Sequence, residues 1–564
     1  MIHIRRLILV GLCITNLCAA TYTVKSGGGG SFTAIQACAN AMGAGDTCMV
    51  YAGTYTENVT VPAGTVGNYK TVTVNGLDAV TVKSVVLNSH TKLVGNCTVG
   101  AAINTCGFNI QNPSTPVGTA CVSMPDGTTD VYIRNNVMYA CGANGMVESG
   151  YPESVSYIYV QGNTLSYACI TQAQAGTATK ECDGIYLEGN HVLVENNDLS
   201  HYTLALLMNT SYGIFRNNTF HDQYETEAGG NSHTDSWFSE PGNSTFPVEY
   251  NVIEGNYQYN GFGQNSKGTL AQNETCGGNC YNLIHRFNTV SRIGGGVITA
   301  DANPGWPNVR VYNNTYVDTL YDQTVNSDPI SDHDAYGGGA NLGQTSVSEI
   351  NNIFYYTQTS GTTIVSVNPY ATVTGATYGN NLVWCPACSA IFPHTYGFGT
   401  WTSDPGNINA NPMFMSYVSS GSLSNNYHLQ AGSPAIAAGT YLTTVASGDS
   451  GTGTSLVVND ASYFQDGYGL SNAYSTVNPD CVAVGTASNH VCITAVNYST
   501  NTLTLTGSVS RSAGQGVHLY SKSDGVQVLT GTAAEMGAYP YTAAASVVTQ
   551  PSVTLSGAIF SGVR

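Results

Sequence analysis

The sequence predicts an all-β solenoid, a right-handed parallel β-helix, on three observations. A short strand-and-asparagine unit recurs along most of the 564 residues. Its spacing suits one coil of such a helix, the surplus residues leaving as loops. No intervening stretch carries the apolar period of a helix long enough to build βαβ units.

The unit is two or three β-branched or aromatic residues at alternate positions, a polar residue, an Asn, and another apolar residue. It is centred on Asn136, Asn163, Asn197, Asn218, Asn256, Asn288, Asn314, Asn352 and Asn381. The gaps between these are 27, 34, 21, 38, 32, 26, 38 and 29 residues, against the twenty-odd a bare coil needs. Asn tolerates the left-handed conformation that a sharp turn between two sheets requires. Stacked coils would also let its amide hydrogen-bond the Asn above and below. Alternating Val, Ile, Leu and Phe would point inward as a continuous core. An antiparallel sandwich with Asn-rich turns is the competing fold, but two-residue hairpin signals are missing.

Before the first coil, Ser31–Gly43 has a capping residue, an apolar face and a terminal Gly, and reads as a short helix covering the open end of the solenoid. Ala44-Gly-Asp-Thr followed by Ala52-Gly-Thr-Tyr-Thr-Glu-Asn58 resembles the opening of the pectate-lyase-like superfamily of right-handed parallel β-helix proteins. Tyr427-His-Leu-Gln-Ala-Gly-Ser-Pro-Ala-Ile436 and Glu535-Met-Gly-Ala-Tyr539 resemble the closing coils of exported bacterial members. The resemblance spans residues 21–440 and 530–541 and implies architecture. It does not imply one chemistry, because this fold hosts lyases, hydrolases, epimerases, esterases and adhesins.

The expected organisation is a signal peptide at 1–20, a β-helix over 21–442, a small inserted β module over 443–524, a closing coil at 525–541 and a tail at 542–564. Arg5 and Arg6, the apolar run from Leu7 to Ile14, and Cys18-Ala19-Ala20 form the export signal. That run is too short to span a bilayer, and no other stretch is a candidate. The insert has its own alternating strands. Carbohydrate binding and plain stabilisation suit it equally.

Fourteen cysteines follow the signal as near neighbours, an even count that in an exported chain favours short-range disulfides. The expected pairs are 38/48, 97/106, 121/141, 169/182, 276/280, 385/388 and 481/492. Cys385-Pro-Ala-Cys388 as a redox pair and Cys276/Cys280 as metal ligands are the alternatives. A net charge of −18 argues against nucleic acid and makes a polyanionic glycan an awkward partner.

Equivalent positions in adjacent coils lie about 4.8 Å apart, so a site is assembled from residues of equal coil phase. Stacking Glu181–Leu187, Thr203–Met208 and His233–Phe238 would put Asp183 and Asp235 two coils apart, at about 9–10 Å. That suits an inverting glycosidase, where one carboxyl is the acid and the other activates water. His233 would join them as a catalytic group. Trp237, Glu240, His201 and His221 would bind substrate, with Trp237 as a stacking platform. Asp183-Gly and Asp235-Ser as strand-entry turns is the plain structural reading.

Elimination on a uronic acid is the second mechanism, with Lys267 catalytic and Arg286 binding the substrate carboxylate. Arg286 as a surface ladder residue beside an Asn turn, like Arg134 and Arg216, is the structural alternative. Lys267 resembles the alginate- and chondroitin-lyase branch, but that branch's following Arg-His is replaced by Val297-Ile-Thr-Ala-Asp301. No motif demands a cofactor. Ca2+ in the loop Asp328–Asp334 is one option, a plain turn another. The leading expectation is a secreted polysaccharide-active enzyme, hydrolase ahead of lyase. A non-catalytic adhesive, structural or glycan-binding protein is the other.

Overall fold

The computed structural model describes residues 19–112, 120–141, 145–149, 155–168, 183–223, 234–239, 247–261, 266–273, 280–293, 298–302, 308–319, 348–357, 377–386, 406–418 and 424–541. The expected signal peptide and C-terminal tail lie almost wholly outside them.

The chain winds through three parallel sheets in a fixed order. Sheet 1 includes Val122–Met124, Gly145–Ser149, Leu206–Ser211, Thr234–Ser239 and Ser266–Asn273. Sheet 2 includes Thr129–Arg134, Val155–Gln161, Ile214–Arg216, Val248–Glu254 and Cys280–Arg286. Sheet 3 includes Val137–Tyr139, Thr164–Ser166, Asp198–Ser200, Thr219–Gln223 and Tyr257–Gly261. One long strand, Asp183–Glu195, belongs to sheets 1 and 2 in turn. Each strand pairs in parallel with its counterpart one coil on, for example Val131↔Ile158 and Leu165↔Leu199. This is the predicted parallel β-helix. Its interior is one continuous apolar cluster from Val24 to Cys385.

The corner between sheets 2 and 3 shows why Asn recurs, and divides its work between two positions. The residue before each repeat Asn takes the left-handed conformation: Asn135, Asn196 and Asn217 at φ 55°, Phe287 at 56°, Asn313 at 55°. Gly162 and Gly255 take the same place in their coils, at φ 68° and 67°. A Cβ on Gly162 would sit 2.3 Å from the Asn135 Oδ1. The repeat Asn itself turns inward and stacks. Asn163 Nδ2 donates to Asn197 Oδ1 (3.1 Å), Asn197 to Asn218 (3.0 Å), Asn218 to Asn256 (3.0 Å) and Asn256 to Asn288 (3.0 Å). Each Oδ1 also accepts the backbone N–H of the Asn one coil back, and each Nδ2 also donates to a carbonyl of that coil, as Asn218 does to Val194. From Asn163 to Asn381 a buried amide is thereby satisfied eight times over, where an unpaired one would cost about 1–3 kcal/mol.

Helix Ile35–Ala41 covers the first coil, burying Ile35, Cys38 and Ala39. Its free N-terminal amides are met by Glu57, whose two oxygens accept from Ile35 and Gln36 at 2.9 Å each, rather than by the local residue the sequence suggested. Disulfides join Cys38–Cys48, Cys97–Cys106, Cys121–Cys141 and Cys481–Cys492. Cys280 and Cys385 are also disulfide-bonded, which removes them as free thiol ligands.

Residues 443–521 form a six-stranded antiparallel sheet. A bridge between Val445 and Val458 joins its two edge strands, so it closes into a small barrel. The barrel packs on the outer face of sheet 2. The outward column Tyr132, Tyr159, Leu193, Ile214, Val252 and Ile284 shares one apolar cluster with Val445, Leu456, Phe464, Val482 and Leu503. The next column reads Arg134, Gln161, Glu195, Arg216, Glu254, Arg286, Tyr312 in successive coils. Arg216 bonds Glu195 (2.7 Å) and reaches the barrel at Ser475 and Ser523. Arg286 bonds Glu254 (2.6 Å) and clamps Asp480 through two nitrogens at 2.7 Å each. Burial would raise the Glu254 carboxyl, but Arg286 and Lys522 hold it well below the ordinary range.

Asp480→Ala leaves Arg286 buried without its barrel partner. It is expected to lower the unfolding free energy by about 3–5 kcal/mol in a denaturant titration, with Arg286→Met and Glu254→Gln together in the same chain recovering most of the loss.

Candidate functional site

Three faces of the prism have different fates. Sheet 2 lies under the barrel. In the later coils the outer face of sheet 3 lies under residues 413–418, 424–441 and 536–541: Tyr427 donates to Ser291 (2.9 Å), and Phe414 packs against Tyr355. Sheet 1 is the sheet from whose two ends the long connections leave. Ser166 to Asp183, Gln223 to Thr234 and Ser239 to Val248 all begin or end there, whereas in these central coils sheets 2 and 3 are joined by two residues. Long insertions on one stretch of a solenoid commonly line its binding face.

On sheet 1 the pairs Ile185↔Leu206 and Leu206↔Trp237 set the register. Asp183 and Asp235 therefore share one coil phase, two coils apart. Asp235 pairs directly with Lys267 in the next coil. Three of the four residues expected to be catalytic thus fall in one column at the entry of sheet 1. His233 and Glu240 lie outside the described residues, as does the side chain of Lys267.

The direction of this column differs from the expectation. Asp183 and Asp235 are both 0 % exposed. Strand alternation puts them on the same side as Ile185, Leu187 and Trp237, which are core residues. Thr203 Oγ1 donates to Asp183 at 3.0 Å. Trp237 is buried, edge-on to Phe215 at 6.2 Å between ring centres. It packs the interior and is not a sugar platform: its parity, which proximity to acids in the sequence does not reveal, turns it inward. A cavity of about 20 Å³ beside Trp237, Gln258 and His285 has room for a water and not for a sugar. Arg286 is likewise no substrate ligand, being 0 % exposed beneath the barrel. It is a ladder residue, as the structural alternative held, but the ladder is buried rather than at the surface.

The opposite parity of the same strand supplies the outer face. Tyr186 and Glu188 alternate with Ile185 and Leu187, and Glu188 stands in register with Asn209 of the next coil. Tyr186 Oη donates to Glu188 Oε1 (2.5 Å), and Asn209 Nδ2 donates to the same oxygen (3.1 Å). Glu188 is 3 % exposed, yet its Oε2 has no donor among the described residues. A buried carboxylate held by one oxygen with the other unmatched is a common arrangement for a group that meets a ligand. Glu148 stands one coil back, in register with Tyr186. The sequence reading missed Glu188 because it weighed only the strand entry. The signal was present in the alternation Ile185-Tyr-Leu187-Glu188.

The two histidines sit around the next corner, at the exit of sheet 3. His221 is clamped between two acids, Nδ1 to Asp222 (2.8 Å) and Nε2 to Asp198 (3.1 Å), and stacks on Tyr259. Burial opposes its charge, but the bonds to Asp198 and Asp222 outweigh this and push the imidazole up to about 9. With both nitrogens engaged it is a structural cation. His201 stacks face to face on Tyr167 at 4.0 Å between ring centres, and burial holds it below its ordinary value. His201 and Asp222 both have positive φ, 59° and 51°. The segment His201–Thr203 leads from this corner to Asp183. Among the described residues no group of three or more His, Cys, Asp or Glu side chains is placed to hold a metal ion, and no helix is long and apolar enough to cross a membrane.

No family model matches the sequence, and no curated protein matches it. Solved structures are similar to it at low identity. The A-module of the mannuronan C-5 epimerase of Azotobacter vinelandii is 15% identical, over 66% of this chain and 89% of that one, with a TM-score of 0.34. An alginate lyase from a Paenibacillus strain is 14% identical, over 53% and 93%, with a TM-score of 0.26. A family 28 exopolygalacturonase of Yersinia enterocolitica is 11% identical, over 70% and 78%, with a TM-score of 0.30. No residue role is carried over from any of them.

The raised imidazole of His221 contributes stability that is complete below about pH 6.5, the unfolded value, and is lost as pH rises through about 9. The melting temperature of His221→Gln is therefore expected to fall furthest below that of the native protein near pH 6. The gap should close by pH 10 in a series of thermal melts.

Proposed function

We propose that this protein is secreted and acts on a polysaccharide laid along the outer face of sheet 1, hydrolysing glycosidic bonds with a pair of carboxyl groups. The observation that carries the reading is Glu188: a buried carboxylate with an unmatched oxygen, on the face flanked by the long connections. In such a reaction one carboxylic acid gives its proton to the glycosidic oxygen as the bond from C1 to that oxygen breaks. A carboxylate takes a proton from water, whose oxygen bonds to C1. Glu188 suits the second role, since an oxygen without a donor is free to accept. Glu148, on the same outer face one coil back and in register with Tyr186, is the acid placed to serve as its partner. Asp183 and Asp235, buried on the inner parity at the strand entries, remain proposed members of the site. His233 and Glu240 flank Asp235 in the sequence and remain proposed members of the site, with His201 at the adjoining corner. The disulfides and the export-type N-terminus support secretion.

Two observations favour other readings. Lys267 beside Asp235 suits β-elimination on a uronic acid. The inward side taken by Asp183 and Asp235 suits a non-catalytic glycan-binding or structural protein.

An activity screen on neutral and uronic polysaccharides separates them. The expected result is new reducing ends without unsaturated products. Glu188→Gln should lose about 10²–10⁴ in kcat while keeping the native melting temperature. Unsaturated products, lost on Lys267→Ala, would establish elimination instead. Binding without cleavage across the panel would establish the non-catalytic class. Asp183→Asn and Asp235→Asn, read for both activity and melting temperature, distinguish a chemical from a structural role for the inward pair.

A further inference from the structure

We infer that the glycan taken by sheet 1 carries no carboxylate groups, a neutral polysaccharide rather than a polyuronate. This deepens the function proposed above and rests on it.

The inference follows from where the chain spends its few cations. It has 16 Lys and Arg against 34 Asp and Glu. Over 142–307, the stretch that builds the central coils of sheet 1 and the connections leaving them, acids outnumber Lys and Arg sixteen to five. The five are Lys180, Arg216, Lys267, Arg286 and Arg292. Arg216 and Arg286 are buried beneath the barrel, bonded to Glu195, Glu254 and Asp480. Arg310 and Arg134, on either side, are drawn to the same interface by Asp460 (2.7 Å) and by the Tyr474 ring (3.9 Å). The docking of the barrel thus removes guanidinium groups from the chain's scarce supply and aims them at sheet 2, away from sheet 1.

Sheet 1 is left with Glu148 and Glu188 on its outer face and Asp183 and Asp235 at its strand entries. Among the described residues of these sheet 1 strands one cation, Lys267, stands in register with Asp235. The corner cation His221 is already outnumbered by Asp198 and Asp222. A polyuronate carries one negative charge per sugar. Binding it here would bring a row of carboxylates against Glu188 Oε2, a buried carboxyl oxygen with no donor among the described residues. Recognition of carboxylates calls for Arg forks, Lys or a bridging cation, and a surface of one sign repels a polymer of the same sign. Hydroxyl groups, by contrast, can donate to Glu188.

The test uses the full chain and matched polymers. Polygalacturonate and alginate are compared with their carboxyl-reduced neutral forms, and with xylan, galactan and β-glucan, by kcat/KM and by affinity electrophoresis, with added Ca2+ or with EDTA. Expected are binding and cleavage of at least one neutral polymer, and affinity for each reduced polymer at least about tenfold above its uronic parent at low salt, a gap that shrinks with salt and in Glu188→Gln. Tighter binding or faster cleavage of a uronic parent, with or without Ca2+, overturns the inference and leaves polysaccharide activity standing. Selective binding of neutral polymers without cleavage keeps the inference and sinks the hydrolase. Binding to neither kind of polymer ends both.

Discussion

The buried amide ladder at the corner between sheets 2 and 3 is the constraint on which the rest of the molecule depends. A parallel β-helix has no hairpins to set its register, and parallel strands can slip past one another. Here each coil is locked to the next by an inward Asn whose oxygen takes two donors and whose nitrogen gives two hydrogens. A slip of one residue would leave those groups unpaired in an apolar interior. From Asn136 to Asn381 the ladder holds the sheet 2–sheet 3 corner to two residues, whereas before it begins thirteen residues separate Val94 from Phe108 at that corner. Within the ladder, variation in coil length is therefore pushed to the other two corners, which border sheet 1.

Docking of the barrel follows from the same periodicity. Because the ladder fixes coil phase, the residue two places before each Asn lies in one outward column. In this chain that column reads Arg, Gln, Glu, Arg, Glu, Arg, Tyr. Neighbouring opposite charges neutralise one another along the column, and Asp480 and Lys522 complete the balance from the barrel side. The adjoining apolar column supplies area. A barrel held by a fully buried ion network and a shared core is an integral layer of the fold rather than a tethered binding module. It also commits most of the central arginines to structure.

Sheet 2 lies under the barrel and sheet 3 is partly covered, and sheet 1 is the face of the proposed site, with its central outward side chains Glu188 and Asn209 buried. Its two parities do different work. The inward parity carries Asp183, Asp235 and Trp237 into the interior side of the wall. The outward parity carries Tyr186, Glu188 and Asn209, where a hydrogen-bonded pair orients a carboxylate and leaves one oxygen unmatched. The acidity of this face and the sequestration of the arginines have a common origin in the barrel interface.

The sequence by itself determined the solenoid. Nine Asn units in one register, alternating apolar strands and two-residue corners are local features, and local features repeat visibly. It determined four short-range disulfides, Cys38–Cys48, Cys97–Cys106, Cys121–Cys141 and Cys481–Cys492, since each joins near neighbours. The expected pairs 169/182, 276/280 and 385/388 each include a cysteine outside the described residues. It also placed Asp183, Asp235 and Lys267 on equivalent strands, because coil phase can be counted from the nearest Asn. What it did not reveal was which side of the wall a residue faces at the strand entries. One step of parity moves a side chain from core to surface, so Trp237 read as a platform and Glu188 went unremarked. Nor did it reveal that Arg216 and Arg286 serve the barrel, because Asp480 and Ser523 are some two hundred to three hundred residues away in the chain. Only the tertiary structure, by laying the barrel on sheet 2, decided which charges are spent on folding and which face lies beneath it.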